Sequence, residues 1–70
     1  MDEDSLRIFL SLARSLHFGR ASKLVHKSPS AVSRALSRLE DELGQPLFER
    51  DNRRVKLTPL GELFQRYASE

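Results

Sequence analysis

The stretch "SPSAVSRALSRLEDELG" (28–44) decides the fold. Ser28 followed by Pro29 is a cap residue followed by a first-turn proline, whose missing N–H is one that a helix cannot use there. Val32, Ala35, Leu36, Leu39 and Leu43 then recur at the spacing of one helical face, and Gly44 stands where a left-handed C-terminal cap is wanted. The spacing predicts a helix over 29–43. At roughly 100° per residue, Ser30, Ser33, Arg34, Ser37 and Asp41 share a face opposite Val32 and Leu36, with Arg38 at its edge. Small side chains let a helix approach closely into a DNA major groove, where serine bonds base edges or phosphates and arginine grips guanine with two hydrogen bonds. The helix N-terminus adds backbone N–H groups suited to a phosphate. The same face also fits an ordinary solvent surface, so the flanking segments must weigh between the two.

Upstream, Leu6, Phe9, Leu10, Ala13 and Leu16 follow a helical rhythm, with Asp2, Glu3 and Asp4 well placed at its positive end. Gly19 interrupts, and "RASKLVHK" (20–27) offers Ala21, Leu24 and Val25 as the inner face of a short second helix ending near Lys27, with Phe18 packing where it begins. Downstream, "LFER" and "VKLT" read as the strands of a β-hairpin whose turn is "DNRR". Thr58 and Pro59 repeat the cap-then-proline signal, and Leu60, Leu63, Phe64, Tyr67 and Ala68 form another apolar stripe. Helix, short helix, tight turn, helix and hairpin is the order of a winged helix-turn-helix. The expected fold class is mainly α: a three-helix core, a short β-hairpin wing and a C-terminal linker helix.

Charge supports a polyanionic partner through its distribution, since the net value is only +2. Seven Lys or Arg and no acid lie between positions 5 and 39, so within that span these cations have no intrahelical acid partners at i,i+4. Arg50, Arg53, Arg54 and Lys56 form a second basic group around the hairpin. Seventy residues make one small domain whose core supplies roughly 3–5 kcal/mol. There is no cysteine, no apolar run near the roughly 20 residues of a membrane span, and an acidic rather than basic start, so a cytoplasmic location is expected. Enzymatic readings find little support. His17 and His26 lie on different elements without a metal-ligand motif, Glu40, Asp41 and Glu42 point to different sides of a helix, and no glycine-rich phosphate loop is present. No enzyme activity, cofactor or metal is expected.

The run "HFGRASKLVHKSPSAVSRALSRLEDELGQPLFERDNRRVKLTPLGE" (17–62) strongly resembles the N-terminal DNA-binding domain of LysR-type bacterial transcriptional regulators. Its most specific parts are "AVSRALSRLEDELG", "PLFER" and "LTPLGE". The resemblance implies that Ser28, Pro29, Ser30, Ser33 and Arg34 meet bases and phosphates, with Ala31 against a thymine methyl and Arg34 the leading base reader. Arg38 borders this set. Arg53 corresponds to the wing arginine that enters the minor groove, which a narrow A·T-rich groove attracts electrostatically. Arg54 occupies a variable position beside it. Thr58 is expected to cap the last helix and to touch a phosphate, whereas Arg50 is expected to pair with an acid such as Glu40 and prop the wing. Many members carry glutamine and proline where this chain has Pro29 and Ser30, so a glutamine-to-adenine contact does not transfer.

The stripe of the last helix exceeds what one small domain covers, and such patches usually meet a partner; packing back on the first helix is the competing expectation. The resemblance implies pairing of two subunits through Leu60, Leu63, Phe64 and Tyr67, with a DNA-binding domain over 1–58 and the start of a linker helix over 59–70. The expected partners are double-stranded DNA on a partly palindromic operator and a second copy of the chain, forming a tetramer in a full-length protein. No membrane partner is expected, and a small-molecule effector would act only through a C-terminal domain absent from these residues. The alternative function is a winged-helix protein–protein interaction module, which would more often show apolar or aromatic residues where Ser30, Ser33, Arg34 and Ser37 stand.

Overall fold

A computed structural model describes residues 2–51 and 54–69. Among them the chain runs α1 (Glu3–Ser15), α2 (Phe18–Leu24), α3 (Pro29–Leu43), β1 (Phe48–Arg50), β2 (Val55–Leu57) and α4 (Pro59–Ser69). Three helices pack around one core, an antiparallel hairpin follows, and α4 returns against α1. The architecture is that of a winged helix-turn-helix.

The Asp2 carboxylate caps α1 by accepting the Ser5 N–H at 2.8 Å, and Glu3 and Asp4 complement the helix dipole. Phe9 and Leu12 are fully buried, and Ile8 and Ala13 nearly so. Leu6 and Leu10 pack at the margin, and Leu16 departs from the expected inner face: it ends α1 in the left-handed region at φ 53° and is 42% exposed. Its reversed backbone turns the side chain off the stripe, and Leu12 fills the inward place one turn earlier.

Gly19 does not break the chain but lies inside α2. His17 is the cap, its Nδ1 accepting the Arg20 N–H at 3.1 Å. A Cβ on Gly19 would come within 2.9 Å of the imidazole Cε1, so the glycine makes room for the ring. Ala21 and Ser22 are buried, whereas Leu24, expected to face inward, is 64% exposed. Phe18, Ala21, Ser22 and Val25 form the true i, i+3, i+4 face, and Leu24 lies on its flank.

The turn into α3 is a Schellman motif. His26 takes φ 58° and donates its N–H to the Lys23 carbonyl, and the Lys27 N–H reaches the Ser22 carbonyl at 2.9 Å. α2 therefore ends at Leu24, three residues before the expected Lys27. Ser28 caps α3 through the Ala31 N–H at 3.1 Å, Pro29 follows at the first turn, and Gly44 closes it at φ 76°, all as the sequence predicts. Val32, Leu36 and Leu39 are buried. Phe9 centres the core, 5.5 Å from the Phe48 ring and 4.9 Å edge-on from Phe64.

The hairpin pairs Phe48 with Leu57, Glu49 with Lys56 and Arg50 with Val55. One Glu40 oxygen accepts the Leu47 N–H at 2.6 Å and the Phe48 N–H at 3.3 Å, tying the base of the wing to α3. Glu40 therefore does prop the wing, but by gripping backbone amides. Arg50 is not its partner: the guanidinium lies 4.7 Å from the Phe18 ring centre, a cation–π contact that ties β1 to α2.

Candidate nucleic-acid interface

α3 presents the predicted polar face. Ser30, Arg34, Ser37, Arg38 and Asp41 are exposed, and Ala31 and Ser33 are half-buried beside them. The face lies opposite Val32, Leu36 and Leu39, whose burial fixes the rotation of the helix. Ser28 accepts the Ala31 amide and Pro29 has no N–H, so the Ser30 N–H is left facing away from the helix start. Small groups there leave backbone and hydroxyls accessible, while Arg34 carries a bidentate donor set past them.

Arg34 also borders a second feature, which periodicity did not reveal. An open groove separates the first turn of α1 from α3, with Asp2 and Asp4 on one wall and Lys27, Arg34 and Arg38 on the other. Its acids come from the far end of the sequence, so only the α1–α3 packing brings the opposite charges together. On this wall the Asp2 carboxyl titrates below its ordinary value. The Ser5 backbone amide that it caps lowers its pKa.

On the wing, Asp51 and Arg54 close the hairpin. The Arg54 N–H donates to the Asp51 carboxylate at 2.8 Å, and the Asp51 N–H to the Arg54 carbonyl at 3.1 Å. The Arg54 side chain is exposed, and with Lys56 it borders shallow hollows on both sides of the wing. Lys56 sits across from Glu49 as an exposed ion pair of 3.6 Å, worth little on its own. Arg53, the expected minor-groove arginine, lies outside the described residues.

Thr58 is a correction. It caps α4 by accepting the Gly61 N–H at 3.0 Å, as expected, but it is buried and donates its only hydroxyl hydrogen to the Pro46 carbonyl at 2.9 Å. With its own N–H bonded to the Leu47 carbonyl, it has no donor left for a phosphate.

The stripe of α4 divides. Phe64 is buried against Phe9 and Leu60 packs at the core margin, so both also serve the core. Leu63 and Tyr67 remain 57% and 72% exposed and, with Leu60 and the edge of Phe64, line a wholly apolar hollow. Among the described residues, no group of three or more His, Cys, Asp or Glu could hold a metal ion, and no helix is long and apolar enough to cross a membrane.

Comparison with known proteins agrees with this geometry. The family model for bacterial regulatory helix-turn-helix proteins of the lysR family matches residues 4–62. The chain is 53% identical over its whole length to the HTH-type transcriptional activator IlvY of Salmonella typhimurium, and equally to the HTH-type transcriptional regulator IlvY of Escherichia coli K12. It spans about a quarter of the length of these relatives, 24%. Among solved structures, the BenM_DBD/benA site 1 DNA complex superposes with a TM-score of 0.93 at 36% identity, covering 99% of this chain and 78% of that one. The CbnR_DBD-DNA complex gives 0.93 at 32% identity, covering 99% and 79%.

Proposed function

Because this chain belongs to the LysR family of bacterial regulatory helix-turn-helix proteins, we propose that it binds double-stranded DNA sequence-specifically, as the DNA-binding part of a longer transcriptional regulator. The observation that carries the reading is the exposed face of Ser30, Arg34 and Ser37 on a helix whose rotation is fixed by buried Val32, Leu36 and Leu39. α3 enters the major groove. Ser28, Pro29, Ser30 and Ser33 lie against phosphates and base edges, Ala31 meets a thymine methyl, and Arg34 reads a guanine. Arg38 serves the adjoining backbone, and Arg53, with Arg54 beside it, carries the wing to the minor groove. The DNA complexes of the BenM and CbnR domains, similar in fold over nearly the whole chain, support DNA as the partner.

The exposed Leu63 and Tyr67 favour a homodimer, with two recognition helices presented to half-sites roughly 34–36 Å apart on a partly palindromic operator. Residues 1–58 act as the DNA-binding domain and 59–70 begin a linker helix. A further domain of the longer regulator would hold the small-molecule effector, and tetramers would form at that level. The location proposed is the cytoplasm, and no catalytic role is assigned.

The test is binding to duplex DNA as a function of salt, comparing the native sequence with Arg34→Ala and Arg53→Ala on a partly palindromic A·T-rich probe and on a scrambled one. The reading expects a steep loss of affinity with salt, discrimination between the probes, and a loss of about 1–3 kcal/mol for Arg34→Ala on the better probe. Negligible affinity at low salt, or indifference to both substitutions, would turn the search to a protein partner.

A further inference from the structure

Arg50 ends β1 at the seam between the wing and the helices. Successive residues of a strand face opposite sides, so Arg50 shares the side of buried Phe48, whereas Glu49 pairs with Lys56 on the other. Its guanidinium lies over the ring of Phe18, the first residue of α2, 4.7 Å from the centroid. Arg50 is exposed, and among the described residues it has no hydrogen bond from its side chain and no ion pair. The nearby acids are engaged elsewhere: Glu40 on the Leu47 and Phe48 amides, Asp51 on the Arg54 amide, Glu49 on Lys56. An aromatic face attracts the charge but accepts no ordinary hydrogen bond, so the N–H donors of Arg50 are open to an outside acceptor.

We propose that Arg50 grips one backbone phosphate of bound DNA and that Phe18 holds it ready to do so. The proposal rests on the DNA-binding reading above. A duplex that takes α3 in its major groove and the wing in the neighbouring minor groove must pass one sugar–phosphate strand between them. α2 packs on α3 and Arg50 belongs to the wing, so the Phe18–Arg50 pair stands where these two parts meet. A phosphate offers paired acceptor oxygens that match the planar fork of a guanidinium. The ring contact settles in advance part of the rotamer freedom that a loose arginine surrenders on binding. No base is read, so the contact serves every sequence alike. One neutralised phosphate adds about 0.9 to the slope of log affinity against log salt, which amounts to about eightfold in affinity at 0.1 M salt.

The experiment takes a duplex enriched from a random-sequence pool by the unsubstituted protein and replaces its phosphates one at a time by uncharged methylphosphonate. Arg50→Gln removes the charge, Arg50→Lys keeps the charge without the fork, and Phe18→Leu removes the ring while keeping apolar bulk. Circular dichroism confirms that each variant folds. Arg50→Gln is expected to bind about eightfold more weakly at 0.1 M salt, with a salt slope smaller by about 0.9. It should also become indifferent to one methylphosphonate position to which the unsubstituted protein is sensitive, all other positions keeping their effect. Arg50→Lys should keep the slope and the sensitivity at that position while binding more weakly, and Phe18→Leu should weaken binding without lowering the slope. An unchanged slope in Arg50→Gln, or sensitivity diminished at several positions together with none singled out, would overturn the phosphate contact and leave Arg50 a support for the wing alone. Full affinity in Phe18→Leu would overturn the part assigned to the ring. If the unsubstituted protein enriches no sequence and binds no duplex at low salt, the DNA-binding reading fails and this inference falls with it.

Discussion

Gly61→Ala sets two physical effects against each other on one atom. Gly61 lies in the first turn of α4, where alanine is favoured over glycine by up to about 1 kcal/mol. On helix propensity alone the substitution stabilises the domain. Yet a Cβ at this position would overlap the Leu47 carbonyl oxygen and come within 2.9 Å of the Leu57 Cδ2. A flexible leucine tip can turn away; the carbonyl cannot, because it accepts the Thr58 N–H at 3.0 Å and belongs to a residue whose side chain is fully buried. Relief therefore separates α4 from the segment leading into β1. That breaks the Thr58–Leu47 hydrogen bond, leaving buried backbone groups unmet at about 1–3 kcal/mol, and strains the Thr58–Pro46 bond, worth about 1 kcal/mol. Subtracting the gain in propensity leaves a net destabilisation of about 1–3 kcal/mol. Against a total of roughly 3–5 kcal/mol the effect is large, and 2 kcal/mol lowers Tm by about 8–16 °C in a domain of this size. Urea unfolding followed by far-ultraviolet circular dichroism measures it. The cost should also fail to add to that of Thr58→Val, because both substitutions break the same junction. An alanine variant as stable as the native chain, or more so, would refute the close approach of α4 to Leu47.

His17→Ala should cost about 1 kcal/mol by uncapping α2, while His17→Ser, which restores an acceptor, should recover most of it; thermal unfolding of the two variants decides. For Asp2, the Ser5 amide lowers the folded pKa below the ordinary 3.8, so its contribution to stability is fully present above about pH 5 and is lost as pH falls through the lowered value. Denaturation midpoints at pH 7 and pH 3 should accordingly differ less in Asp2→Asn than in the native chain. Replacing Leu63 and Tyr67 together by arginine should leave the circular dichroism spectrum unchanged and give a monomer by sedimentation, since both side chains are exposed; a variant that still dimerises would place the interface elsewhere.

The features legible in the sequence are those written in neighbouring residues. The Ser28–Pro29 start and Gly44 stop of α3 and the Thr58–Pro59 start of α4 are local devices, and the polar face of α3 follows from periodicity alone. What escaped depends on contacts between distant segments. Leu24 fits the α2 stripe as well as Val25 does until α1 and α3 choose which flank is covered. Charge complementarity suggested an Arg50–Glu40 pair, but an aromatic face and two backbone amides are the partners that packing supplies. Two signals were present and unread. A histidine directly before a helix and one residue ahead of Phe18-Gly19 is a capping candidate, and histidine is among the residues enriched at positive φ, as at His26.

The misread contacts share a consequence for function. If α3 and the wing each contact DNA, their separation must be fixed before binding, because a loose wing would lose ordering entropy on every encounter. Only Gly44, Gln45, Pro46 and Leu47 connect α3 to β1, and a four-residue link containing glycine does not set an angle by itself. The angle is set by Glu40 on the Leu47 and Phe48 amides, by Arg50 on Phe18, and by Thr58 joining Pro46 and Leu47 to the start of α4. None of these groups is needed to touch a base. Glu40→Gln should therefore weaken the grip of α3 on the wing while leaving the serine and arginine face intact. It should lower affinity for matched and scrambled duplexes alike. Unchanged affinity in a folded Glu40→Gln protein would mean that the wing position does not matter to binding.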